Sequence, residues 1–293
     1  MPNHTRLRRY RFLALSPTMG LEQRIRYYMN TLYTATQDHE MTSAHYLKAP
    51  IIEALIEIQV IPRVGLSALD MLTGFDTIRE EFPERQEISR NPGIILQFSS
   101  SESQLTPPAS LSGIRFISQD KRYILQSRID RFTLSMVCDP QASSYYTQWV
   151  DMKHRAQELW SIYVKSCGPV SVRQCALRYI NRFDPPEDGS PVAGLFNNLP
   201  LLPIDNTDLL AGFWTNLATR QTKENAQTII NLGSVNSLIT DSFSIIFDIE
   251  VSSLDKEWYP DSPDLWEYLD SLRDLKNSAF ERYISDKARE VLS

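Results

Sequence analysis

The stretch KAPIIEALIEIQV, residues Lys48–Val60, alternates strictly once past its proline. Ile52, Ala54, Ile56, Ile58 and Val60 share one side, and Glu53, Glu57 and Gln59 share the other. A period of two over this length predicts a β-strand with one buried face.

After it, Leu66, Leu69, Leu72, Phe75, Ile78 and Phe82 recur at threes, which predicts an amphipathic helix closed by Pro83. Asn91-Pro92-Gly93 reads as a turn leading into a short strand at 94–98. Three closely spaced strands follow, at Ile114–Ile117, Tyr123–Gln126 and Arg131–Val137. Their short polar turns predict an antiparallel meander. A long helix is expected over 144–166, with Tyr145, Trp149, Met152, Ala156, Leu159, Trp160 and Tyr163 on its apolar stripe and Gly168-Pro169 as its stop.

The second part of the chain repeats this order. Val170–Phe183 is apolar on both faces and so belongs in the middle of a sheet. Strands are expected near 209–217, 226–232 and 238–251. A final helix opens at Ser262-Pro263, with serine as N-cap and proline in the first turn. The fold class is therefore α+β: antiparallel meander sheets, each covered by a long amphipathic helix, in two similar halves (48–168 and 169–293) and in a helix-grip-like arrangement.

Residues 1–40 read as an appended basic leader. They hold six arginines against three acidic residues, so the remainder of a chain of net charge −6 carries −9. Two origins stand open for the leader: an organellar transit peptide, or an extension upstream of a natural start at Met41. The acidic body weighs against nucleic-acid binding, since it repels phosphate backbones. No apolar run approaches the roughly 20 residues that span a bilayer. Cys138, Cys167 and Cys175 form no CxxC pair and no metal-ligand spacing, which suits a reducing cytoplasm and small buried thiols.

Few residues invite a chemical reading. Glu53 and Glu57 lie four apart on one strand face, about 13 Å from each other, too far for a catalytic carboxylate pair. Arg178 and Arg182 share a face of the central strand with Asn181 opposite, and two arginines there need carboxylates or a ligand anion. Pairing with Glu53 or Glu57 from a neighbouring strand is the structural expectation, and an anion site the functional one. His154 falls on the polar side of its helix with no histidine spaced to join it. Asp248 and Glu250 are expected on a solvated sheet face. Trp258 and Tyr259, between the last strand and helix, are expected to pack as core or staple, and they are the candidate contact if the cluster is exposed. No metal and no cofactor is expected.

Four segments in order, KAPIIEALIEIQV, YTQWVDMKHRAQELW, CALRYINRFDPP and LRDLKNSAFERYISDKAREVL, resemble a sporadically distributed bacterial family of uncharacterised proteins. The resemblance spans Lys48–Leu292 and implies no catalytic residue. The family's patchy occurrence implies mobile-element, defence or toxin–antitoxin neighbourhoods. The leading expectation is a non-catalytic binding or interaction module for an unknown protein partner or small ligand. It would use the polar sheet face or a sheet–helix cleft. The alternatives are a small-molecule or anion-binding domain built on Arg178 and Arg182, with a hydrolase as one form of it, and an antitoxin-like partner.

Overall fold

The computed structural model describes residues 46–90, 110–138, 146, 148–186, 188, 191–197, 212–237 and 243–293. The basic leader and the turn and strand expected at 91–98 lie outside these residues.

The opening stretch forms β1 (Ile51–Ile61) with the expected face buried, apart from one shift. A bulge between Ile51 and Glu53 turns Ile51 inward in place of Ile52. The helix predicted from Leu66 to Phe82 is shorter. It runs as α1 (Ala68–Gly74), capped by a Ser67–Asp70 capping box, and then tightens into a 3-10 turn over Asp76–Ile78. The spacing by threes misled here because it continues through helix, 3-10 turn and loop alike.

Next comes a strand absent from the sequence reading, β2 (Glu84–Arg90). It is followed by β3 (Ser110–Ile117), β4 (Tyr123–Arg128) and β5 (Arg131–Val137). Helix α2 (Trp149–Cys167) starts five residues later than expected and buries Trp149, Met152, Ala156, Leu159, Trp160 and Tyr163 of the expected stripe, while Tyr145 lies outside the described residues. It ends at Gly168, whose φ of 55° is the left-handed conformation that glycine adopts without a Cβ clash.

The central strand is β6 (Ser171–Phe183), followed by a 3-10 turn at Val192–Leu195, then β7 (Trp214–Gln221), β8 (Ala226–Asn236) and β9 (Phe243–Ser253). Strands β7 and β9 both start later than expected. The last helix is α3 (Asp264–Tyr283). Its cap position is Pro263, without a side-chain cap bond, and Ser262 contributes its carbonyl to Leu265 N–H, not its hydroxyl. The helix breaks at extended Ile284, and a short α4 (Asp286–Leu292) restarts under a Ser285 cap.

All nine strands join one antiparallel sheet in the order β2-β3-β4-β5-β1-β6-β9-β8-β7. The seam is the β1–β6 pair, with Ile56 opposite Leu177 and Ile58 opposite Cys175. On one face Ile56, Ile58, Phe132, Leu134, Leu177, Tyr179, Phe247 and Ile249 are buried together with the stripes of α2 and α3. At roughly 2 kcal/mol for each large apolar side chain removed from water, this layer dominates the folding energy. The other face carries Glu53, Glu57, Arg131, Arg178, Arg182, Asp248 and Glu250. No helix among the described residues is long and apolar enough to cross a membrane.

Candidate functional site

Over the sheet, α2 and α3 line a partly open cleft of about 490 Å³. Its floor is Ile51 of β1 with Tyr179 and Asn181 of β6. One wall is the first turn of α2, from Gln148 to Val150, and the other is Arg273, Lys276, Asn277 and Phe280 of α3. The size falls within the range of small-ligand pockets, about 300–1,000 Å³.

Sequence spacing places each wall. Trp149 begins the buried stripe of α2, and its indole N–H donates to Asp270 Oδ1 on α3 at 2.7 Å. Lys153, one turn on, holds the same carboxylate at 2.8 Å. This clasp ties the two helices at the edge of the cavity. On α3, Lys276 stands one turn after Leu272 and one turn before Phe280, both buried. It is a cation set into the apolar stripe.

The Lys276 ammonium therefore faces the sheet, 4.0 Å from the centre of the Tyr179 ring. The side chain keeps partial contact with the cavity, so the amine is confined but not sealed. Among the described residues no carboxylate lies within ion-pair distance of it. Glu281, on the same wall, is already engaged: it accepts from the Tyr46 hydroxyl at 2.8 Å and pairs with Arg289 at 3.1 Å. Burial, with Arg273 adding repulsion, pushes the Lys276 amine down to about 7.

Tyr146 and Tyr179 share a hydroxyl–hydroxyl hydrogen bond of 2.8 Å. Burial lifts Tyr146 to about 12 and Tyr179 well above its ordinary value, so both stay protonated donors. Asn181 is buried and donates to the Phe247 carbonyl at 2.9 Å, which leaves its amide oxygen as an acceptor. Gln148, the N-cap of α2, makes no side-chain cap bond, so the positive end of that helix opens on the cavity. The site thus combines an aromatic and aliphatic wall, two cations and a helix N-terminus.

Of the residues singled out from sequence, only Asn181 reaches this cavity. Arg178 lies on the opposite sheet face, where it binds Asp248 through Nε at 2.9 Å and Nη2 at 2.8 Å. It does not pair with Glu53 or Glu57, because its Cα stands opposite Leu55 on β1 and Glu250 on β9 and its guanidinium reaches diagonally to Asp248. Arg182 pairs with Asp184 at 3.0 Å and donates to Ser244 and to the Asn236 carbonyl. Both guanidinium groups are thus occupied by carboxylates.

Glu57 pairs with Arg131 at 3.3 Å, and Glu53 stands between Val137 and Ile180. Asp248 is buried rather than solvated, and burial raises the carboxyl of Glu250 above its usual range. Trp258 is 6% exposed, its ring tilted at 49° against that of Tyr268 and its backbone bridged to Val172, whereas Tyr259 is 77% exposed. The expected aromatic pair is split between core and surface. His154 is exposed, 3.6 Å from Glu158. Among the described residues no group of three His, Cys, Asp or Glu side chains is placed to hold a metal ion.

Sequence reading missed Lys276, Arg273, Tyr146 and Tyr179. The available signal was Lys276 itself, a lysine in register with Leu272 and Phe280 on a core-facing stripe. No protein-family model, no curated protein and no solved structure matches this chain.

Proposed function

We propose that this chain is a binding module whose sheet–helix cleft takes a small ligand with an anionic group on an apolar or aromatic body. One observation carries the reading: Lys276 points into a cavity of ligand size with no carboxylate partner among the described residues. A ligand carboxylate or phosphate placed between Lys276, Arg273 and the α2 N-terminus would supply the missing counter-charge. Trp149 and Phe280 would flank its apolar part, and the Tyr146 and Asn181 side chains would orient polar substituents. The charge distribution supports the same reading: the residues after the leader are acidic overall, and Lys276 and Arg273 make this cleft locally positive.

The reading of the chain as two similar halves, with the cleft helix-grip-like between them, is supported by the order of elements. In both β1–β5 and β6–β9 the first strand lies at the seam, the last strand of the meander returns beside it, and a long helix follows. The resemblance to a sporadic bacterial family adds the proposal that the ligand or partner belongs to mobile-element or defence loci. A second reading, an antitoxin-like interaction protein, draws on the exposed Tyr259.

The test is a thermal-shift screen of small aromatic carboxylates and phosphomonoesters at pH 6.5 and pH 9. Anionic compounds are expected to raise Tm at pH 6.5 and less at pH 9, as the Lys276 amine loses its proton. Lys276→Met should abolish the shift while Arg178→Lys leaves it. Shifts that survive in Lys276→Met, or no shift with any anion, would refute the proposal.

A further inference from the structure

The two ends of the sheet are built differently. Strand β2, at one end, carries Glu84, Arg85, Glu87 and Arg90, and its register slips between Ile88 and Ser89. Charge and a bulge are the usual guards that keep a free strand edge from pairing with another chain. Strand β7, at the other end, has no bulge and little charge. It pairs with β8 through eight residues without a slip, contains no proline, and carries a single charge, Arg220. Its side chains are mostly exposed on both faces, and it includes Trp214 at 65% and Leu217 at 39% exposure.

Trp214 is held in place. Its ring lies directly over Gly233 of β8, in space that any Cβ there would occupy. Among the described residues no strand pairs with the outer edge of β7, so the rim of the sheet presents a fixed aromatic ring beside an open backbone edge.

The ladder tells which backbone groups are on offer. Ser234 N–H donates to the Phe213 carbonyl, so odd-numbered residues of β7 bond toward β8. The N–H and C=O groups of Trp214, Asn216, Ala218 and Arg220 therefore point outward.

We propose that β7 is a self-association edge, on which two copies of this chain pair β7 with β7 in antiparallel fashion about a twofold axis through Leu217. This register sets Trp214 opposite Arg220 of the other copy, twice by symmetry, which gives two cation–π pairs. It also sets Thr215 opposite Thr219 and Leu217 opposite its twin, so no like charges meet. Asn216 falls opposite Ala218, and both pairs of even-numbered residues bring their outward amides and carbonyls face to face. The two sheets become one continuous sheet, and both unguarded edges disappear. A strand of eight residues with one aromatic anchor on each side fits a dissociation constant on the order of 10 µM.

The test uses the full chain in sedimentation velocity from 1 to 200 µM (about the range that brackets such a constant). Reversible dimerisation is expected, and Leu217→Lys, which sets two ammonium groups opposite each other at the axis, should weaken it at least tenfold. Ala218→Pro, which removes an outward N–H without touching the β8 ladder, should do the same, with circular dichroism unchanged. Leu217→Cys supplies an independent readout. Twin residues of a non-hydrogen-bonded pair stand about 4.5 Å apart, within disulfide reach. Mild oxidation should then cross-link this variant, while Ala218→Cys does not cross-link. A chain that stays monomeric at 200 µM with no Leu217→Cys cross-link overturns the proposal. So does a dimer that both Leu217→Lys and Ala218→Pro leave intact.

Discussion

Replacing Lys276 by methionine should make the protein more stable and, under the proposed function, unable to bind an anionic ligand. The amine sits on the apolar stripe of α3 between Leu272 and Phe280, and burial has moved it from its ordinary 10.5 to about 7. Each unit of displacement is worth about 1.4 kcal/mol. The full displacement would amount to several kcal/mol, and contact with the open cleft reduces this to about 2 kcal/mol. Methionine keeps the length and fills the same space without a charge.

The pH dependence gives the sharper check. Between pH 7 and 10.5 the unfolded chain holds a proton on this lysine that the folded chain has released, so wild-type stability rises with pH across that window. The advantage of Lys276→Met should be full at pH 7 and below and fade to nearly nothing near pH 10.5. Urea denaturation at pH 6, 7, 8, 9 and 10 measures it, and at pH 7 the gain corresponds to about 4–8 °C in Tm for a domain of this size. A variant that is less stable than wild type at pH 7, or whose difference does not change with pH, would show that the amine is already satisfied in the fold.

The Arg178–Asp248 pair offers a second measurement. Asp248 is 4% exposed and Arg178 41% exposed, so Asp248→Ala strands a partly solvated guanidinium and should cost about 2 kcal/mol. The double variant Arg178→Met/Asp248→Leu should recover most of that loss in urea melts. A double variant no more stable than Asp248→Ala would count against a desolvated pair. Burial raises Cys138 and Cys167 to about 11 and Cys175 to about 12, so all three thiols should resist a thiol reagent at pH 8 until the protein unfolds. Rapid labelling of the native protein would contradict this packing.

How much of this could be read from the chain depends on whether the signal was local. The alternation of Lys48–Val60 announces β1, because inward and outward positions differ at every step. Val170–Phe183 reads as a central strand, since it is apolar on both faces. Strand β2 escaped because ERQEISR contains one apolar residue, Ile88; an edge strand guarded by charge has no hydrophobic pattern to detect. That the sheet is continuous also escaped, because the β1–β6 register joins residues more than a hundred positions apart and nothing local encodes it.

The same reason explains the site. The place of Arg178 in the central strand calls for a partner, but that Asp248 supplies it in place of Glu53 or Glu57 depends on cross-strand register and on a diagonal reach. The cleft draws on β1, β6, α2 and α3, and only Lys276 carried a local mark, a charge where the helical period calls for an apolar residue.

The seam between β1 and β6 has a consequence for synthesis. Ile56 leaves the ribosome about 120 residues ahead of its partner Leu177. At roughly 5–20 residues per second, β1 waits on the order of ten seconds with one flank unclaimed. During that interval the nascent chain exposes an isoleucine-rich ribbon that a passing chaperone, or another nascent chain, can reach first.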